Sequence, residues 1–161
     1  MSNRAPLYNQ SMCFTLYAGT TKPLQRKDWN KDAHDLCVKS LDEHEAAILT
    51  HFSSPEVQSI GSTSGCGCDF PHVTLTRGEW VGYPEVEVDD PEWEANERTN
   101  RESLVTLLRE SGEKIVELYG IWRSDDGDLS KPVNVREEIP LTRILEPTFR
   151  FKERGFYHVS L

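Results

Sequence analysis

The stretch MCFTLYA, Met12 to Ala18, alternates residue by residue. Met12, Phe14, Leu16 and Ala18 fall on one side of an extended chain, and Cys13, Thr15 and Tyr17 on the other. A period of two is that of a β-strand. Around it the chain offers more strands than helices. HDLCVKSL (34–41) reads as a second strand, with Leu36 and Val38 on its apolar face and Cys37 beside Asp35 and Lys39 on the other. A first helix follows: Ser40 and Glu43 have capping-box spacing, Ile48, Leu49 and Phe52 form a stripe, and Pro55 bars continuation. EVQSIG (56–61) is a short strand ending in glycine.

Further on, HVTLTR (72–77) and EVEV (85–88) alternate as edge strands, and the acidic run EVEVDDPEWEANE (85–97) reads as a solvated loop. TNRESLVTLLRESG (99–112) is the clearest helix. Thr99 and Glu102 have capping-box spacing, Leu104, Leu107 and Leu108 make its buried stripe, and Gly112 suits the position after its end. KIVELYGIWR (114–123) is a strand running into the turn SDDGD, and the tail holds two or three more strands with a bend at Gly155. This order predicts an α+β fold: a single mostly antiparallel or mixed sheet with two helices on one face. Residues 1–11 are unpatterned and read as a flexible N-terminal arm, and residues 12–161 as a single α+β domain.

The formal charge is −9 and the isoelectric point about 5.0. A field of that sign repels phosphate, so no nucleic-acid or anionic-membrane partner is expected, while a basic protein partner fits. The first residues hold no apolar signal segment, and no apolar run approaches the length of a membrane span. The expected location is the cytoplasm, where thiols stay reduced. The four cysteines therefore read as free, metal-bound or redox-active before they read as staples.

Two of them sit one residue apart in GSTSGCGCDF (61–70). Gly65 and Gly67 supply the backbone freedom for a bend there. A disulfide between Cys66 and Cys68 would close a small strained ring, suited to exchange and poor as a staple. As a metal site, Cys66 and Cys68 give two thiolates on one loop, with Cys13, Cys37 and His72 as further candidate ligands for zinc or copper. As a hydrolase, Cys66 or Cys68 would be the nucleophile and His72 the base. A tight turn packed under Phe70 would also favour such small residues for shape alone. The glycines match no phosphate-binding loop, and SDDGD lacks the glutamate of a calcium loop.

MCFTLYAGT, the GCGCDF loop, VELYGIWRSDDGD and FRFKERGFYHVSL together resemble a family of small bacterial proteins that begin Met-Cys and carry a Gly-Cys-Gly-Cys-Gly-Phe loop. The family has no established activity, so the resemblance implies domain bounds and a role for the loop, and no chemistry. This chain differs by Asp69, where the family has glycine, and by the eleven residues ahead of Met12. The leading functional expectation is a Cys-x-Cys loop that binds a thiophilic metal, zinc or copper, or works in thiol–disulfide chemistry. The alternatives are a non-enzymatic interaction module with an acidic surface and structural cysteines, and a cysteine-dependent hydrolase.

Overall fold

The alternation around Phe14 is realised as β1 (Cys13–Thr20), which becomes an interior strand. The structure, a computed structural model, describes residues 13–82, 90–123 and 127–161. The expected N-terminal arm, Met12, the EVEV strand and most of the SDDGD turn lie outside the described residues. The remaining strands are β2 (Cys37–Ser40), β3 (Glu56–Gly61), β4 (His72–Thr76), β5 (Glu79–Gly82), β6 (Ile115–Arg123), β7 (Val135–Pro140), β8 (Phe151–Lys152) and β9 (Gly155–Ser160). The α-helix, α1, spans Pro91–Glu110, and a 3₁₀ helix covers Glu43–His51.

The expectation of a single sheet is corrected: the described strands form two. A six-stranded sheet runs β2-β3-β1-β6-β9-β7, and a three-stranded one runs β5-β4-β8. The larger sheet is antiparallel except for the parallel pair β7–β9. In the smaller sheet, the β4–β5 hairpin gains β8 by a parallel pairing of His72 with Phe151 and Val73 with Lys152. That pairing joins segments far apart in the chain, and no local pattern encodes it.

The placement of two helices on one face is corrected as well. Phe14, Leu16 and Ala18 pack in one core with Leu104, Val105 and Leu108 of α1. Tyr17 points the other way, into a core with Tyr119, Ile121, Phe156 and Ile48 of the 3₁₀ helix. The physical reason is in β1 itself, where Tyr17 is as fully buried as Phe14. Both faces of the larger sheet carry apolar side chains, so both need cover. Burying one such side chain stabilises by about 1.5–3 kcal/mol.

Helix starts also shift. The capping box at the 3₁₀ helix is Asp42 and Glu45, not Ser40 and Glu43: Asp42 Oδ1 accepts the Glu45 N–H at 3.0 Å, and Glu45 Oε2 accepts the Asp42 N–H at 2.9 Å. Ile48 is buried there while Leu49 is exposed. The helix α1 begins eight residues before the expected Thr99, at Pro91, because Asp90 caps the N–H groups of Glu92 and Trp93 and proline suits the first turn. The part of the acidic run from Pro91 onward is therefore helix rather than loop. Thr99 lies inside α1, where its hydroxyl donates to the Ala95 carbonyl. Among the described residues no helix is long and apolar enough to cross a membrane.

Candidate metal centre

The loop that follows β3 is drawn back on itself by short-range hydrogen bonds. The Ser62 N–H donates to the Cys66 carbonyl at 2.7 Å, and the Gly65 N–H to the Ser62 carbonyl at 2.9 Å. The Ser62 hydroxyl also lies against the Cys66 carbonyl and 3.0 Å from Asp69 Oδ2. Gly65 takes φ +95°, a conformation that disfavours any residue with a Cβ, and it lies under the Trp29 indole. Trp29 itself is tied to the loop by its indole N–H, which donates to the Thr63 carbonyl at 3.1 Å. From the α1 side, Asn100 Oδ1 accepts the Thr63 N–H at 3.0 Å.

After Cys66 the chain makes a 3₁₀ turn, Gly67–Asp69, closed by the Phe70 N–H donating to the Gly67 carbonyl. This turn docks on the first residues of β1. A Cβ on Gly67 would lie 2.4 Å from the Phe14 carbonyl oxygen, so only glycine lets the two backbones come this close. Pairing between β1 and β3 covers Leu16 to Thr20, so among the described residues that side of Phe14 has no strand partner. There the Phe14 N–H donates to the Cys68 sulfur. Cys13, the first residue of β1, stands next to it.

The result is a cluster of three sulfurs. Cys13, Cys66 and Cys68 lie with all Sγ atoms within 4.8 Å of one another, and each residue is half-buried. Their thiols are not equivalent. The Cys68 thiol donates to Cys66 and, against the effect of burial, pulls the Cys66 thiol down to about 5, helped by the Cys68 N–H, the Ser64 hydroxyl and Cys13. The Ser64 Oγ stands 3.8 Å from Cys66 Sγ. Cys68, as the donor in that bond and partly buried, is held well above the ordinary thiol range. Burial and the neighbouring Cys66 charge push Cys13 up in turn. The directions set Cys66 apart as the most acidic of the three thiols.

A cation stands behind it. Arg123 is the cross-strand partner of Cys13, and its charge favours the Cys13 thiolate. The Arg123 guanidinium donates to Glu45 Oε1 at 2.9 Å, and the same oxygen accepts the Tyr17 hydroxyl at 2.9 Å. Glu45 thus caps its helix and holds Arg123 at once.

The other two candidate ligands, Cys37 and His72, are not members of this three-sulfur set. Cys37 is buried in β2 with its Sγ 3.7 Å from the Gly65 carbonyl, where it backs the loop. His72 is buried at the start of β4, with Nδ1 2.6 Å from the Phe70 carbonyl oxygen and its ring stacked on Phe14 at 4.4 Å. Burial lowers its pKa and keeps it neutral. Reasoning from sequence missed Arg123, Glu45 and Trp29 as parts of this neighbourhood. The strand ending at Arg123 was legible, but the register that sets Arg123 beside Cys13 has no local signal.

No protein-family model, no curated protein and no solved structure matches this chain.

Proposed function

We propose that the protein binds a thiophilic metal ion through the thiolates of Cys13, Cys66 and Cys68. One observation carries this reading: the three sulfurs lie within 4.8 Å of one another. Metal–thiolate bonds of about 2.3 Å hold sulfurs sharing one ion no more than roughly 4.6 Å apart. Sulfurs gathered this closely are placed to share one ion. Binding would draw the thiol protons from the three cysteines, most easily from Cys66. The ligands come from two elements, so an ion would tie the loop to the start of β1. A reducing compartment such as the cytoplasm suits thiolates in this state.

The test is metal analysis of protein purified without chelator, with thiols titrated before and after reduction. A bound ion that disappears in C66S and C68S, with the circular dichroism spectrum unchanged, is the expected outcome. The reading fails if no thiophilic ion is taken up and thiol reactivity is the same with and without added metal.

A second reading, dithiol–disulfide exchange, is favoured by the depressed Cys66 thiol beside two other thiols. The Cys66 thiolate would attack a small-molecule disulfide, forming a mixed disulfide and expelling one thiolate. Cys13 or Cys68 would then lose its proton and attack the Cys66 sulfur, expelling the second. This reading expects a pair of thiols missing from the oxidised protein, restored by reductant, with no dependence on metal.

A further inference from the structure

Resting on the three-thiolate reading, we infer that the ion this site is built for is copper(I), held in a trigonal set of three sulfurs. The donor set is wholly thiolate, and soft monovalent copper prefers such ligands to imidazole or carboxylate. The number of donors fits as well. No fourth histidine, cysteine, aspartate or glutamate among the described residues lies within 4.8 Å of all three sulfurs. Copper(I) is complete with three thiolates. Zinc in a closed site takes four ligands, so here it would need a fourth from water or another molecule.

The surroundings hold the three sulfurs together and supply donors to them. The loop is fixed before any ion arrives: Trp29 covers Gly65, Asn100 holds Thr63, and Gly67 lies on the backbone of Phe14. A braced frame of this kind keeps the sulfurs in one compact set. The polar groups aimed at the sulfurs are donors that persist once the thiol protons are gone. The Cys68 N–H points to Cys66, the Phe14 N–H to Cys68, and the Ser64 hydroxyl lies beside Cys66. Three thiolates on a monovalent ion leave two negative charges, which these N–H and O–H dipoles and the Arg123 cation stabilise. Zinc would leave one and gain less from them.

The experiment is a competition titration of the reduced full chain under anaerobic conditions. Copper(I) is supplied against a chromogenic copper(I) chelator, and zinc against a chromogenic zinc chelator. X-ray absorption then reads the donor set. The expected result is one copper(I) per chain with sulfur donors only, not displaced by equimolar zinc. The C13S variant should lose the trigonal signature and most of the affinity, and C37S should keep both. Tighter binding of zinc, with three sulfurs and one oxygen or nitrogen, overturns the copper assignment while leaving the three-thiolate site standing. Copper(I) bound equally well by C13S overturns the trigonal geometry. Uptake of neither ion overturns the underlying reading itself.

Discussion

The ladder between β1 and β6 gathers polar groups at both ends, and the two ends are built on opposite plans. At one end Gly19 faces Glu117, whose carboxylate is almost fully buried. It accepts the Ser54 N–H at 2.9 Å, the Ser53 N–H at 3.2 Å and the Ser53 hydroxyl. At the other end Cys13 faces Arg123, and the polar groups brought together are thiols. The Glu117 end is closed: a buried acceptor meets as many donors as it can use, which is how a buried charge becomes a structural rivet. The cysteine end is open. Its three sulfurs mostly meet one another, and all are half-exposed. Closed satisfaction stabilises a fold, whereas soft donor groups gathered at a half-exposed place have the capacity to bind.

Removing the rivet should have the largest effect on stability. Glu117→Ala leaves the donors of Ser53 and Ser54 without their acceptor, and a loss of about 2–3 kcal/mol is expected by denaturant titration. The pH dependence is defined too. Burial works to raise Glu117, but the Ser53 and Ser54 donors outweigh it and hold the carboxyl below the usual range. Its contribution is therefore present above the ordinary glutamate value and is lost as pH falls through that value toward the lower folded one. Glu117→Gln should flatten this part of the acid limb. An unchanged limb would show that the two ends differ less than their contacts imply.

A smaller effect is expected at the junction of the loop with β1. Gly67→Ala sets a methyl against the Phe14 carbonyl, and overpacking of this kind costs about 1–3 kcal/mol. Lifting the turn off β1 also separates Cys68 from Cys13, so metal uptake should fall more steeply than stability does. Equal losses in the two would place the cost in general unfolding rather than in the site.

The mildest test leaves the fold untouched. In the metal-free protein, alkylation near neutral pH should label Cys66 before Cys13 and Cys68, as peptide mapping would read. Its rate should stay high down to about pH 5 and drop below it, because the reactive thiolate is then protonated. Faster labelling of Cys68 would invert the proposed direction of the hydrogen bond between the two.

Much of the molecule was legible locally. The alternation of Phe14, Leu16 and Ala18, the strand Glu56–Gly61, the strand Ile115–Arg123 and the burial of Leu104 and Leu108 each follow from side-chain periodicity, while Leu107 of the expected stripe is only partly buried and Val105 is buried in addition. The Cys66–Cys68 pair after a strand end was visible as a place to look. Periodicity says which residues share a face, but it says nothing about which strand lies alongside. That limit accounts for the second sheet, which depends on His72 meeting Phe151, and for the helices on opposite faces, which depend on how deeply Tyr17 and Tyr119 are buried.

The same limit divides the site. By itself the sequence determined that two thiols share a glycine-bearing loop, because that spacing is covalent. Only the tertiary structure decided that the third thiol is Cys13 and not Cys37. Both were candidates on equal terms, each on the less apolar side of a short strand. The choice turns on the vacant edge of β1 beside Phe14, which Gly67 can reach because it has no side chain, and on Cys37 being buried behind Gly65 instead.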